Sequence, residues 1–322
     1  DMHNDMTGEQ TDYHHLFSKG IHLIVDRLTD NKRVLTFFAS DGRMFFLIPM
    51  GPKTCIGTTD TQVNSPEVGV TDEDRDFVLE NVNALLDTDP PLTRADIIAE
   101  RVGVRPLAMH GEGGVADWVQ LSRKHVIEVN EAHCHLSIFG GKLTDCLNVG
   151  DEVARWVARL GVELPLPGNR WYGEPDRRLR EEFMLQARLM NLDALTDPTS
   201  SEPLSERFWR RYGASAFSLL ERIREDSSCA DLLIEKAEYT RCEIELAAHR
   251  EMIVRLEDFM RRRSKIEQVL RREDIARSPG LREACRILFG EQAEQRLQEY
   301  LGSGGEDPAW RGAPRTAEGL AR

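Results

Sequence analysis

A glycine pair between an apolar strand pattern and a helical pattern is the segment of this chain best suited to chemistry. Residues 137–144 read Ser-Ile-Phe-Gly-Gly-Lys-Leu-Thr. Glycines let backbone N–H groups approach a ligand closely, and the positive end of the following helix favours negative charge there. The segment therefore predicts an anion or cofactor site, whose candidate residues are Gly140, Gly141, Lys142, Leu143 and Thr144. Many strand-to-helix turns carry glycine without any ligand.

Two arginines could hold an anionic substrate. Arg105 precedes Pro106 at the end of an apolar run, so its backbone is held extended while its guanidinium can bind phosphate or alkoxide oxygens through two hydrogen bonds. Arg123 opens an extended segment and is a candidate second cation. The alternatives are a structural arginine paired with a carboxylate for Arg105, and a solvated strand edge for Arg123.

A histidine and a hydroxyl-rich turn complete the polar candidates. His22 lies in an apolar strand pattern, and an unperturbed imidazole titrates near neutrality, which suits an exchange of protons with a substrate. Thr58 and Thr59 follow another strand pattern and form a polar turn with Asp60. A lone strand histidine is more often structural, and a hydroxyl-rich turn needs no ligand to explain it.

The order of these segments resembles that of one enzyme family. The chain carries Ser-Lys-Gly-Ile-His at 18–22, Phe-Phe-Leu-Ile-Pro at 45–49, Ile-Gly-Thr-Thr-Asp at 56–60, Gly-Val-Arg-Pro-Leu at 103–107 and then the glycine turn. In this order the segments resemble the FAD-dependent sn-glycerol-3-phosphate dehydrogenases. The resemblance continues into Leu-Glu-Asp at 256–258 and Arg-Arg-Arg at 261–263.

The resemblance implies an activity and a role for each candidate. The activity would be oxidation of sn-glycerol 3-phosphate to dihydroxyacetone phosphate, with FAD as cofactor and membrane quinone as electron acceptor. Lys142 would lie near the flavin pyrimidine edge, where a cation stabilises the anionic reduced ring; its alternative is a lysine pointing into water. The catalytic candidates are therefore Arg105, His22 and Lys142, and the substrate-binding candidates are Arg105, Arg123, Thr58 and Thr59.

Two other functions stay open at this point. An oxygen-using glycerophosphate oxidase of the same superfamily would differ in which acceptor reaches the flavin. A noncatalytic remnant would be a folded phosphate-ligand or partner-binding module without its nucleotide-binding half. A flavin-linked activity would separate the remnant from the two enzymes.

The nucleotide-binding fingerprint of the family has no counterpart in this chain. Residues 111–116 fit Gly-x-Gly-x-x-Ala literally, but no apolar strand precedes them and no helical pattern follows them, so we interpret them as a surface loop. We therefore expect this chain to be the C-terminal part of such an enzyme, weakly flavinated by itself. A second departure is Asp145-Cys146-Leu147, where the family more usually has Thr-Tyr-Arg.

Composition narrows the class of protein and its partners. The chain has 322 residues, 40% of them hydrophobic, and a formal net charge of −13, which argues against nonspecific nucleic-acid binding. No apolar run approaches the roughly 20 residues that span a bilayer. We expect a cytoplasmic protein whose membrane contact, if any, is peripheral on the inner face of the cell membrane. A homodimer is an open alternative to a monomer.

The cysteines and histidines predict no metal site and no disulfide framework. The six cysteines are scattered without a Cys-x-x-Cys pair, which favours a reducing cytoplasm. In His133-Cys134-His135, a strand would turn the two histidines to one face and the cysteine to the other. Cys242, Glu245 and His249 share a face of a predicted helix, a spacing more typical of a helix surface than of a metal centre.

Hydrophobic periodicity predicts an α+β fold. Strands are expected at 21–25, 34–38, 44–48 and 54–57, joined as antiparallel hairpins; a capped helix follows at 71–85, and extended segments at 97–104, 124–129 and 135–139 lead to a helix at 143–160. Beyond the Pro-rich linker at 164–168 the pattern is helical, at 183–195, 205–223, 230–266 and 281–300.

These patterns predict three regions. Residues 1–163 would hold the antiparallel-sheet substrate-binding domain and part of an FAD-binding domain. Residues 164–302 would form an all-α C-terminal domain. Residues 303–322, with glycine, proline and no apolar periodicity, would be a disordered tail.

Overall fold

The fold combines antiparallel sheets with a bundle of short helices, which confirms the predicted α+β class. The computed structural model describes residues 2–111, 124–166, 168, 173–198, 200–234 and 236–302. Residues 112–116 of the glycine-rich run, Arg123 and the tail at 303–322 lie outside these residues, so the predictions made for them stay predictions.

Eight strands form two sheets within the described part of the chain. They are β1 (Tyr13–Asp26), β2 (Leu35–Phe38), β3 (Met44–Met50), β4 (Lys53–Gly57), β5 (Thr61–Val63), β6 (Ala99–His110), β7 (His125–Asn130) and β8 (His135–Gly140). The larger sheet runs in the order β2-β3-β4-β1-β5, and all its pairs are antiparallel. β4 and β5 pair with different parts of one edge of β1, and β6 pairs with its opposite edge. β7 and β8 form the second sheet. All four predicted strands are present, and β2, β3 and β4 are joined as antiparallel hairpins, whereas β1 pairs with β4 and not with β2.

Short helices make up most of the rest. They are α1 (Met2–Thr7), α2 (Asp72–Leu85), α3 (Cys146–Arg159), α4 (Arg177–Leu189), α5 (Leu204–Tyr212), α6 (Ala216–Glu225), α7 (Arg241–Arg250), a π-helix (Asp258–Arg263), α8 (Ile266–Val269), α9 (Arg272–Arg277), α10 (Leu281–Phe289) and α11 (Ala293–Gly302). Single 3-10 turns connect several of them. None of the helices in the described ranges is both long and apolar enough to cross a bilayer.

Strand β1 organises the sheet because it is hydrogen-bonded along both edges. Its residues alternate between the two faces. Ile21 and Leu23 are fully buried against α2 and belong to the core of this region. The opposite face carries Ser18, Gly20 and His22, which lie directly across from Arg105, Gly103 and Arg101 of β6. One face of the sheet is thus core, and the other carries polar and charged groups.

The capping box predicted before α2 is present and is tied to β1. The Thr71 hydroxyl accepts a hydrogen bond from the Asp74 backbone N–H at 3.3 Å, and the Asp74 carboxylate accepts one from the Thr71 N–H at 2.9 Å. The same carboxylate pairs with Lys19 Nζ at 2.5 Å, with both side chains more than nine-tenths buried. This ion pair joins the first turn of α2 to β1.

The helical region has two apolar cores. One is built from α4 to α6 around Phe183 and Phe208, and the other from α7 to α11 around Phe259 and Tyr300. Arg271 connects this region to the sheet, because its guanidinium donates to the backbone carbonyls of Ala95 and Ile97 at 2.8 and 2.9 Å.

The predicted helix at 230–266 is wrong. Helix α7 begins only after Thr240, whose hydroxyl and N–H bond the Glu243 carboxylate in a capping box, and it ends at Arg250. Lys236, Glu238 and Met252 have φ of +58°, +55° and +50°, a left-handed conformation that an α-helix cannot contain. The apolar periodicity of these segments comes from separate turns packing on one core.

Other predictions need smaller corrections. The helices expected at 183–195, 205–223 and 281–300 are each broken, at Asn191, Gly213 and Gly290, which have φ of +54°, +52° and +56°. His133 and Cys134 lie in a turn and not in a strand, so the argument from strand alternation does not apply to them. Among the described residues no group of three or more His, Cys, Asp and Glu side chains is arranged to hold a metal ion.

The buried pair of Lys19 and Asp74 generates the first testable prediction. Asp74→Ala leaves a buried ammonium whose remaining partner is the Gly69 carbonyl at 3.5 Å, so we expect a loss of about 3–5 kcal/mol in the free energy of unfolding. Lys19→Met leaves a carboxylate still bonded by Thr71 and should cost less, roughly 1–3 kcal/mol. Urea denaturation measures both.

Asp76→Ala on the same helix is the matched control, because Asp76 forms an exposed ion pair with Arg94. We expect little change from it. Equal losses for Asp74→Ala and Asp76→Ala would contradict the role given to the buried pair.

Candidate active site

The guanidinium of Arg105 lies flat across Gly20 of β1. A Cβ atom at Gly20 would be 2.6 Å from Arg105 Cζ, well inside any allowed contact. Arg105 reaches this position because residue 105 stands opposite Ser18 in the register of β1 and β6. The missing side chain at position 20 is therefore what lets Arg105 cover the sheet.

Polar groups around Arg105 fix its guanidinium. Nη2 donates to the Thr58 hydroxyl at 3.1 Å, and Nη1 lies 3.4 Å from Asp60 Oδ1, 3.4 Å from Ser18 Oγ and 3.5 Å from the Thr59 carbonyl. Asp60 is in turn bonded by the Ser18 hydroxyl. Arg105 remains 30% exposed although it is paired with a carboxylate. The arrangement holds the cation in place and leaves part of it exposed.

The polar turn at 58–60 has two functions in this geometry. Thr59 Oγ1 accepts a hydrogen bond from the Ile21 N–H at 3.0 Å, which fastens the turn to β1. Thr58 and Asp60 then face Arg105. Thr59 is thus a support for the turn, whereas Thr58 contacts the guanidinium that would hold a substrate.

His22 shares this face of the sheet and is uncharged at neutral pH. Burial lowers the pKa of its imidazole to about 4, helped by the nearby cations of Arg101 and Arg105. It packs against Gly57, where a Cβ would be 3.0 Å from the imidazole Cδ2. A neutral imidazole next to a fixed guanidinium can accept a hydrogen bond or a proton.

The glycine turn is anchored on β6 and presents its next residues outward. Gly140 has a φ of +65°, and a Cβ there would be 3.1 Å from the Ala108 backbone nitrogen. The Gly140 N–H donates to the His15 imidazole at 3.4 Å, so it is occupied within the protein. Lys142, Leu143 and Thr144 are exposed, and the Lys142 side chain forms no ion pair among the described residues.

The departure from the family pattern at 145–147 has a structural consequence. Asp145 Oδ2 lies 2.7 Å from His125 Nδ1, and Glu152 Oε2 lies 3.0 Å from His125 Nε2. The hydrogen bond with Glu152, and then that with Asp145, raises the pKa of the imidazole. His125 also packs against the glycine turn: a Cβ atom added at Gly141 would lie 3.1 Å from the Cβ of His125. This cluster ties the start of α3 to β7.

The structure brings some of the predicted residues together and leaves others apart. Arg105, Thr58, Thr59 and His22 form one site on the open face of the sheet. The glycine turn contacts β6 at Ala108, three residues beyond Arg105. Cys242, Glu245 and His249 share a face of α7, as predicted. There Cys242 is buried, Glu245 pairs with Arg222 and His249 is exposed.

Two contributors to the site had no role in the sequence-based prediction. Gly20 provides the space for Arg105, and Arg101 adds a second cation beside His22. The alternation of side chains along a strand could have indicated both residues, because positions 18, 20 and 22 share one face of β1 and positions 101, 103 and 105 share one face of β6. The register that aligns the two sets was not readable from the sequence.

The residues present fit one edge of a flavin. The exposed segment 142–144 offers backbone groups and an unpaired lysine where β8 passes through a 3-10 turn into α3. Helix α3 has no fully buried residue, and Leu143 is 90% exposed. The described residues contain no strand-turn-helix for a pyrophosphate, so they would hold only part of FAD.

Family models match this architecture. A model of the FAD dependent oxidoreductase family matches residues 3–164, and a model described as the C-terminal domain of alpha-glycerophosphate oxidase matches residues 161–281. The chain therefore belongs to the FAD-dependent oxidoreductases. The resemblance found in the sequence motifs is confirmed at this level.

Similar proteins carry one enzyme name. Glycerol-3-phosphate dehydrogenase 2 of Mycobacterium tuberculosis is 31% identical over 261 residues, which cover 77% of this chain and 41% of that protein. The aerobic glycerol-3-phosphate dehydrogenase of Bacillus subtilis is 36% identical over 139 residues, covering 42% of this chain and 24% of that protein. The chain thus spans less than half the length of these relatives.

A solved structure shares the fold. It is the glycerol-3-phosphate dehydrogenase of Bacillus halodurans in complex with FAD, with a TM-score of 0.61 and 23% identity, and the match covers 94% of this chain and 59% of that one. The similarity includes both the sheet region and the helical region. It establishes the fold of this chain.

We expect Gly20→Ala to displace Arg105 without unfolding the protein, because the end of a long side chain can move aside. The affinity for a phosphate-bearing ligand, measured by calorimetry with sn-glycerol 3-phosphate, should fall about tenfold, as expected when a charged hydrogen bond is lost. Gly103→Ala is the matched control, since a Cβ there meets nothing within 4 Å. Equal affinities in the two variants would contradict the role of Gly20.

The cluster at His125 predicts a pH-dependent stability. Its pKa in the folded chain is raised above the ordinary 6.5, so the charged imidazole stabilises the fold fully below about pH 6.5, and this contribution is lost as the pH rises through the raised pKa. The difference in Tm between the natural chain and His125→Gln should therefore be largest in acid and shrink at higher pH. Asp145→Asn/Glu152→Gln should remove the same pH-dependent part; a difference independent of pH would contradict this account.

Proposed function

We propose that this chain is the substrate-binding and C-terminal part of an FAD-dependent enzyme that oxidises sn-glycerol 3-phosphate to dihydroxyacetone phosphate. The observation that carries the proposal is the fixed, partly exposed guanidinium of Arg105 on the open face of the sheet, beside a neutral His22. A substrate with a phosphate group and a secondary alcohol suits a cation and a proton acceptor placed side by side. The names of the similar proteins support the same substrate.

The chain's own residues would bind and orient the substrate. Arg105 would bind phosphate or alkoxide oxygens through the exposed part of its guanidinium, while Asp60 and Ser18 hold it in place. Arg123 is proposed as a second substrate cation, as the resemblance implies. FAD, when bound, supplies the acceptor for the hydride from the substrate carbon, and Gly140, Gly141, Lys142, Leu143 and Thr144 would lie along one edge of it.

His22 would become a better base when substrate binds. In the chain alone, burial and the cations of Arg101 and Arg105 keep its pKa low. A phosphate dianion next to Arg105 would offset part of that positive charge and raise the pKa towards its ordinary value. The imidazole would then accept the proton of the substrate hydroxyl more readily.

An assay of the Arg105 guanidinium tests the proposal. We expect Arg105→Ala to lower kcat/KM for sn-glycerol 3-phosphate, followed by dye reduction in the flavin-loaded protein, by about 100-fold, because a charged, bidentate contact is lost. Arg94→Ala, which removes an exposed cation that pairs with Asp76 of α2, is the control. Turnover of sn-glycerol 3-phosphate that is equal in both variants would refute the proposed role of Arg105.

The oxygen-using oxidase is the second candidate, since the family model that matches residues 161–281 is described by that name. Oxygen consumption and hydrogen peroxide release during turnover would identify an oxidase. Reduction of a quinone analogue without peroxide would identify a dehydrogenase. Binding of sn-glycerol 3-phosphate without any turnover would identify the noncatalytic module.

The proposal extends to the acceptor and the location. We propose membrane quinone as the acceptor, and hence a cytoplasmic protein in peripheral contact with the inner face of the cell membrane. A homodimer is proposed as its assembly. Sedimentation with and without quinone-containing vesicles would test the membrane contact and the homodimer.

A further inference from the structure

A strongly basic cleft lies between the sheet and the helical region. Its volume is about 740 Å³, and its walls come from the segments at 27–32 and 49–52, from Arg101 of β6 and from residues 261–265, at the end of the π-helix and just after it. Ten of its lining residues are lysine or arginine and two are glutamate. This is a local excess of positive charge in a chain whose net charge is −13.

Many of these cations have no carboxylate partner. Arg210 pairs with Glu202, Arg211 with Glu243 and Arg262 with Asp258. Within the described residues the other seven cations of the cleft form no ion pair; five of them are Lys32, Arg101, Lys236, Arg261 and Lys265. Arg27 and Arg263 donate to backbone carbonyls. Like charges gathered in a concave surface repel one another and raise the local concentration of anions.

The cations converge from both sides of the cleft. Burial raises the pKa of the Cys55 thiol, and Arg101 and Lys265 both act against that rise, so a cation from the sheet and one from the helical region lie near the same sulfur. Arg27 is held by the carbonyls of Thr29, Gly51 and Asn31 at 2.7, 2.6 and 3.2 Å. A cation fixed before a ligand arrives loses less entropy on binding.

An unsatisfied acceptor lies in the same wall. Gln268 of α8 lines the cleft, and its side-chain oxygen is buried without a hydrogen-bond partner among the described residues. A hydroxyl group of a ligand would supply the missing donor. The cleft therefore combines several cations with one acceptor.

We propose that this cleft binds a small molecule that carries at least two anionic groups together with hydroxyls, of the class of phosphorylated polyols, at a site separate from the Arg105 site. The volume falls in the range of about 300–1,000 Å³ typical of small-molecule sites. Arg105 does not line the cleft. Arg101, on the same face of β6, does line it and lies opposite His22. Such a ligand would join the sheet to the helical region through Arg101, Arg261 and Lys265.

Calorimetry with fructose 1,6-bisphosphate as the probe tests the proposal. The double variant Arg261→Ser/Lys265→Ser removes two exposed side chains that form no ion pair, so it should fold normally, and its affinity for the probe should fall about tenfold or more. Arg277→Ser/Arg286→Ser removes two exposed cations elsewhere in the helical region and should leave the affinity unchanged. Arg105→Ala should also retain it, because the Arg105 site is not involved.

A parallel arm distinguishes a free metabolite from a lipid headgroup. Vesicles of phosphatidylcholine with phosphatidylglycerol are sedimented with the same variants. Binding of the bisphosphate that is lost in Arg261→Ser/Lys265→Ser supports a soluble ligand, and vesicle binding lost in that variant supports a headgroup in the same cleft. The proposal is overturned if neither probe binds, if the double variant binds as the natural chain does, or if Arg105→Ala abolishes binding of the bisphosphate.

Discussion

The position of strand β1 is the constraint on which the rest of the structure depends. Both of its edges are hydrogen-bonded, one of its faces packs in the core, and the other carries the candidate site. Ile21 and Leu23 bury one face against α2. The other face must then carry Ser18, Gly20 and His22, and the antiparallel register sets Arg105 and Arg101 beside them. A shift of the register by one residue would exchange the faces and lose both the core and the site.

The local arrangement of the cations on this face, and not the net charge of the protein, determines the electrostatic potential at the site. Arg105 keeps a contact with Asp60 but stays partly open, and together with Arg101 it helps to keep His22 neutral. Further along the same face, the helical region adds Arg261 and Lys265 to Arg101. An acidic protein thus carries two groups of cations on one face of its sheet, which suits anionic ligands.

Sequence patterns predicted the structural features that depend on interactions between residues close together in the chain. The first four strands and the capping box at Thr71 were predictable because period-two apolar runs and a capping side chain act within a few residues. The structure of the region 230–266 was not predictable. The helical pattern is interrupted there at Lys236, Glu238 and Met252, which have a left-handed backbone although their residue types do not indicate one. The same limit applies to the site, where Arg105 was predictable from its neighbours but its position over Gly20 depends on the pairing of strands that are distant in sequence.

An experimental structure of the protein with sn-glycerol 3-phosphate tests the central claim most directly, namely that Gly20 and the register of β1 and β6 create an anion-binding position at Arg105. The account predicts a phosphate or alcohol oxygen of the ligand within hydrogen-bonding distance of the Arg105 guanidinium, with His22 on the same side of the sheet. A ligand bound elsewhere, with Arg105 still held by Thr58 and Asp60 and making no contact with it, would contradict the account.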